Sequence, residues 1–181
     1  MLRLTIQLSA EGWDEKKEEF VEAKTQVLQL EHSLISLSKW ESKWCKPFLS
    51  NANKSDEEIL DYIKLMTLTP NVDPEVYSYL SVENFKEIDA YINAPMTATT
   101  FTEDKSGRRN REVITAELIY YWMIALQIPF ECQKWHLNRL LTLVRVCNIK
   151  NTPPKKYSKR ETASSYAAMN AARRRQMNTK G

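Results

Sequence analysis

At 181 residues, with 43% hydrophobic and 10% aromatic side chains, the chain has room for one domain with appendages, or at most a small domain joined to a helical one. Its three glycines argue against a turn-rich sandwich or barrel and against a glycine-rich phosphate loop. The net charge of +3 conceals a division: residues 1–149 hold 17 Lys and Arg against 22 Asp and Glu, whereas 150–181 hold nine basic residues against Glu161 alone, the pattern of an acidic body with a basic interaction tail.

Leu2, Leu4, Ile6 and Leu8 alternate with Arg3, Thr5, Gln7 and Ser9. That period of two predicts a strand with one buried face and differs from the continuous apolar stretch of a signal peptide. Ser9–Gly12 reads as a turn, and Glu19–Glu22 and Thr25–Glu31 as further short strands. Residues 1–32 are therefore expected to form a small β unit.

From residue 33 the spacing turns helical, through Leu34, Leu37, Trp40, Glu41, Trp44 and Phe48, with Pro47 marking the end. Ser55 with Glu58 spells a capping box and opens a helix carrying Ile59, Ile63 and Met66. Asp73–Pro74 places a cap before a proline at the first helical position. Ser81 caps a helix carrying Val82, Phe85, Ile88 and Ile92, which must stop before Pro95. Residues 93–110 are polar and Thr-rich and predict an exposed loop. A helix over 111–127 is apolar almost all round from Leu118, which predicts a central place in a bundle. Pro129 breaks it, and a second helix is expected over 130–147, completing a helical hairpin. Thr152–Lys156 reads as a stiff linker, and Ser158 with Glu161 as a second capping box before a tail helix reaching Met177. The apolar face of that helix is thin (Ala163, Tyr166, Ala167, Met169), so it is marginal alone and suited to ordering on a partner.

The fold class that follows is mainly α: a bundle of about five helices over 33–149, the β unit over 1–32 and a basic helical extension over 150–181. The longest apolar run, Leu118–Leu126, spans nine residues, short of the roughly 20 a bilayer requires. Cys45, Cys132 and Cys147 are odd in number and far apart, as expected for reduced thiols in a cytosolic setting.

Chemistry-bearing residues are few. On the expected 130–147 helix, Cys132 and His136 stand one turn apart, the spacing of two metal ligands. Cys147 lies about 22 Å further along and cannot complete that site. The plainer alternative is that the cysteines fill a helical interface while His136 meets a carbonyl at its edge. No nucleophile motif, His-Glu-x-x-His or Walker sequence occurs, and the acidic pairs Glu57/Asp61 and Glu87/Asp89 fit solvated helix faces. We therefore expect no catalytic site, cofactor or metal. Trp40 and Trp44 share a helix face, either as core or as anchors for a partner. With Lys155, Lys156, Arg173, Arg174 and Arg175, and loop 93–110 beside them, they make up the candidate partner-binding set. The basic tail suits phosphates, an acidic protein surface, or plain solvation, and protein docking together with solvation ranks ahead of nucleic acid.

Three segments carry a family resemblance: Gln29–Trp44 (QLEHSLISLSKWESKW), Tyr120–Leu143 (YYWMIALQIPFECQKWHLNRLLTL) and Cys147–Lys156 (CNIKNTPPKK). They resemble small proteins from the tail-gene region of long-tailed, siphovirus-type bacteriophages and prophages, similar to phage tail assembly chaperones. The resemblance implies a non-enzymatic helical protein of the host cytoplasm. Its implied partner is the tape measure protein, which such chaperones coat before tube subunits polymerise, with the tail tube protein as a second partner. Self-association stays open, a membrane is not implied, and no contact residue carries over. The alternatives are a structural virion component, such as a connector or tail completion protein, and a nucleic-acid-binding protein using the basic tail.

Overall fold

The computed structural model describes residues 1–9, 12–14, 19–21, 23–50, 53–101, 113–152 and 159–178. The fold is mainly α, with small antiparallel strand pairings at its N-terminal end, as the periodicity predicts. Met1–Asn148 forms one compact unit and Ile149–Gly181 another.

In the first unit, β1 (Leu2–Gln7) pairs antiparallel with β4 (Thr25–Leu30), Leu4 opposite Leu28 and Leu2 opposite Leu30. The period of two then sends Leu4, Ile6, Leu28 and Leu30 to one face, where all are buried. Complete burial of each such side chain is worth about 1.5–3 kcal/mol. The short strands β2 (Gly12–Asp14) and β3 (Glu19–Val21) pair with each other. The β1–β4 pair does not stand apart from the helices. The buried β1 and β4 side chains share one core with Trp40, Tyr62, Ile63, Met66, Val76, Ile88 and Tyr91.

Among the described residues, four helices follow in this unit, α1 (Leu34–Trp44), α2 (Asp56–Met66), α3 (Val82–Asn93) and α4 (Ala116–Ala125), and a fifth, α5 (Leu137–Asn151), begins in it. Their starts obey local chemistry. Ser33, Ser55 and Ser81 each accept from the backbone N–H three residues on, and the residue at that position returns a side-chain bond. The caps at Ser55 and Ser81 are those the sequence announces. Asp73 caps a 3-10 helix, Pro74–Tyr79, by accepting from Glu75 N–H at 2.9 Å. Ser55→Ala should cost about 1 kcal/mol in a urea melt, because Glu58 N–H loses its acceptor.

α1, rather than α4, is the central helix. It sends Trp40 into the sheet-side core, and Leu34 and Leu37 into a second core with Ala116, Ile119, Met123, Leu137, Leu140 and Val144. α4 begins only at Ala116, capped by Thr115, and buries one side of its apolar circumference. Tyr121 and Ile124 on the other side are 62% and 63% exposed, which corrects the central placement expected from composition.

The second expected helix is interrupted. Phe130–Lys134 is a 3-10 turn, Trp135 is extended, and α5 starts at Leu137. The cause is tertiary: His136 forms a β-bridge with Ser33, and Leu137 N–H donates to the His32 carbonyl at 2.7 Å. The β4–α1 junction thus holds the chain open where local propensity favours helix.

The second unit carries α6 (Lys159–Met177), whose described side chains are all exposed. The Ser158 cap and most of the Thr152–Lys156 linker lie outside the described residues.

Candidate functional site

α2 turns Ile59, Tyr62 and Ile63 toward α3, and α3 answers with Phe85, Ile88, Asp89 and Ile92, each set at helical three- and four-residue spacing. Between them runs an open, largely apolar groove of about 380 Å³, with Phe48 and Lys54 at one side. Ile59 and Phe85 form its lips, each 39% exposed. The floor is fixed from below. The Phe48 and Tyr62 rings lie 4.0 Å apart, and the Tyr62 hydroxyl meets His32 Nδ1 at 2.6 Å. Lys54 stands 4.7 Å over the Phe48 ring, and Asp89 accepts from Asn93 at 3.1 Å. The groove therefore presents an apolar floor with one ammonium and one carboxylate at its margins. Such a surface takes an amphipathic helix, whose apolar side chains at i, i+3, i+4 and i+7 enter while its polar ones stay wet. A separate cavity beside the β1 edge, lined among others by Thr5, Gln7, Leu8, Tyr79, Ser81 and Asn84, is mixed in character.

The Lys43–Asp61 ion pair stiffens the opposite side of α2. Burial opposes ionisation of Asp61, but hydrogen bonds from Lys43 at 2.6 Å and Trp44 at 3.0 Å outweigh it and hold the carboxyl below its ordinary range. Glu58 is held low first by its hydrogen bond from Lys46 and then by the Ser55 backbone.

The residues singled out from the sequence do not converge on this groove. Trp40 is 1% exposed, and its indole N–H donates to the Glu58 carbonyl at 2.9 Å. Its ring stands edge-on to Phe48 at 5.0 Å. Trp40 is core, which corrects its assignment to a partner surface: the face it shares with Trp44 looks inward at the Trp40 end. Trp44 is half-buried, engaged with Asp61 and with Lys43 5.5 Å from its ring centre. Arg173, Arg174 and Arg175 are exposed on α6, in the second unit. Lys155 and Lys156 lie outside the described residues, as does loop 93–110 from 102 onward. In its described part, the Phe101 ring lies 4.0 Å from the Arg145 guanidinium.

The proposed Cys132/His136 pairing depends on a continuous helix and fails with the break at Trp135–His136. His136 instead meets a carbonyl, that of Tyr91, at 3.0 Å. Cys132 is buried, and burial pushes its thiol upward, away from the thiolate. Among the described residues, no group of three His, Cys, Asp or Glu stands close enough to hold a metal, and no helix is long and apolar enough to cross a membrane.

Sequence reading identifies Ile59, Phe85 and their stripes as helix faces but not as lips of a shared groove. The available signal is that neither α2 nor α3 has a charged residue between its apolar positions on that face until Asp89. Comparison with protein-family models, with curated proteins and with solved structures returned no match.

Proposed function

We propose that this protein is a non-enzymatic helix-binding protein acting as a phage tail assembly chaperone, which keeps the tape measure protein soluble in the host cytoplasm before the tail tube assembles around it. The α2–α3 groove carries the proposal: an open apolar cleft between two helices, with half-exposed Ile59 and Phe85 at its lips. A tape measure protein is a long helical chain whose apolar stripes need cover until the tube arrives. The groove offers the complementary surface, and the resemblance of Gln29–Trp44, Tyr120–Leu143 and Cys147–Lys156 to tail-region proteins points to the same partner. The exposed, basic α6 supplies a second contact of different character, one that salt weakens.

Co-expression with the tape measure protein of the same phage tests the proposal. The expected result is a rise in the soluble fraction of the tape measure protein, with a complex that survives purification. Absence of both sinks the chaperone reading. A second reading, a connector or tail completion protein, draws on β1, which lies at the end of the β1–β4 pairing and can accept another strand. Presence of the protein in purified virions favours that reading, since a chaperone leaves before the particle is complete.

A further inference from the structure

The two histidines meet at one buried joint. His32, at the end of β4, and His136, at the start of α5, are 2% and 6% exposed, and their ring centres lie 5.1 Å apart. Four elements converge on the pair. From α2, the Tyr62 hydroxyl lies 2.6 Å from His32 Nδ1. From α3, the Tyr91 carbonyl lies 3.0 Å from His136 Nε2. From α5, Asn138 N–H donates to His136 Nδ1 at 3.3 Å, and the Asn138 side chain donates to the Ile92 and Ala94 carbonyls at 2.9 and 2.8 Å, closing the end of α3. From β4, Leu137 N–H is taken by the His32 carbonyl at 2.7 Å.

These bonds fix the tautomer of His136. His136 Nδ1 accepts a backbone N–H, so Nε2 carries the proton it donates to Tyr91. A second proton on Nδ1 would face the Asn138 N–H and break that bond. His32 Nδ1 is engaged by the Tyr62 hydroxyl, and a charged His32 ring would stand buried beside it. Of the charged groups around the pair, Glu31 favours a charged His136, but burial outweighs it. Glu31 is engaged by the Tyr91 hydroxyl at 2.7 Å and by the Met1 amino group at 3.0 Å. The Glu41 carboxyl is committed to Phe48 and Ala116 N–H groups at 2.7 Å each. Each imidazolium would also face the other ring across the joint.

We propose that the His32–His136 joint is an acid-sensitive latch holding the C-terminal end of α3 against β4 and α5, and that protonation opens this corner before the rest of the unit unfolds. Because Tyr62, Ile88 and Ile92 line the α2–α3 groove, an open latch also dismantles the groove. The latch itself does not depend on what the groove binds.

The sign follows from burial. Burial first, and then the neighbouring His136, lowers His32 from its ordinary value to about 3, and burial lowers His136 as well. An open joint restores both toward about 6.5. The closed state is therefore fully favoured above pH 6.5 and loses ground as pH falls below it. At pH 5, the open population gains about 30-fold from His32 alone, and more with His136.

Hydrogen exchange read by peptide at pH 7.5 and pH 5.0, with rates corrected for intrinsic pH dependence, tests the latch in the full chain. Amides of α3 and of residues 136–140 should lose at least tenfold in protection at pH 5.0, while those of α4 and the middle of α1 keep theirs. Tyr62→Phe, which removes the partner of His32 Nδ1, should shift the pH of the local transition. His32→Asn, which retains an acceptor and cannot be protonated, should move it down by about a pH unit or more. Uniform loss of protection across the unit would overturn the proposal, as would a local transition that neither variant shifts. If His32→Asn does not fold, the Tyr62→Phe shift alone decides.

Discussion

Glu41→Ala should destabilise the protein by about 3–5 kcal/mol, a large loss for a single side chain. Glu41 is 7% exposed on α1, and its two carboxyl oxygens each take one backbone donor at 2.7 Å. Phe48 N–H belongs to the turn after α1, and Ala116 N–H is the first of α4. The side chain thus caps a helix 75 residues away in sequence and places its negative end at that helix's N-terminus, where the dipole favours it. Removal strands two N–H groups, each worth about 1–3 kcal/mol when left unpaired in the interior. Glu41→Gln retains one acceptor and turns an amide donor toward the other N–H, so its loss should fall between wild type and Ala. Urea denaturation of the three proteins gives the ordering, and equal midpoints would refute the capping role.

Trp40→Ala should cost a similar amount, about 3–5 kcal/mol. The ring fills the space where β1, β4, α2 and Phe48 meet, and its N–H satisfies the Glu58 carbonyl near the start of α2. The variant should melt well below wild type or fail to accumulate, and Trp40→Phe should recover most of the packing but not the hydrogen bond. Trp44→Ala, by contrast, removes a half-exposed ring and its bond to Asp61, and should cost far less. Thermal melts that rank Trp44→Ala above Trp40→Ala in damage would contradict this assignment of core and rim.

The contrast between the two tryptophans shows where local pattern stops informing. The i, i+4 spacing places both on one face of α1, and does so correctly. Which end of that face looks inward is decided by how β4 and α2 pack on it, which the spacing within α1 does not encode. The helix starts at Ser55 and Ser81 are legible because a cap is satisfied within four residues. The alternation of Leu2 to Leu8 is legible because burial of one strand face repeats every second residue. The break at Trp135–His136 is not, because the bonds that enforce it come from His32 and Ser33, about a hundred residues earlier. Glu41 falls on the same helical stripe as Trp40 and Trp44, but its capping role is not legible, since its partners at Phe48 and Ala116 lie beyond the turn it occupies. The groove belongs to the same category. Each of its walls is written as an amphipathic stripe, while their facing each other across an open cleft depends on how α2 and α3 pack on the sheet.

The basic tail divides similarly. Its composition and its helix, α6, follow from the sequence, and its exposure fits a segment with little apolar surface to bury. The contribution to binding proposed for it is separable from that proposed for the groove, because charge contacts fade with salt while apolar contacts persist.

The central claim is that the α2–α3 groove grips a helical segment of the tape measure protein. The most direct measurement compares wild type with Ile59→Asp/Phe85→Asp in co-expression with that protein, at matched levels and with the fold of each checked by melting. Both substitutions sit at half-exposed lips, so the fold should survive while a charge enters the apolar cleft. The predicted result is a soluble tape measure protein with wild type and an insoluble one with the double variant. Equal rescue by a folded double variant would contradict the groove as the binding surface and leave α6 as the place to look.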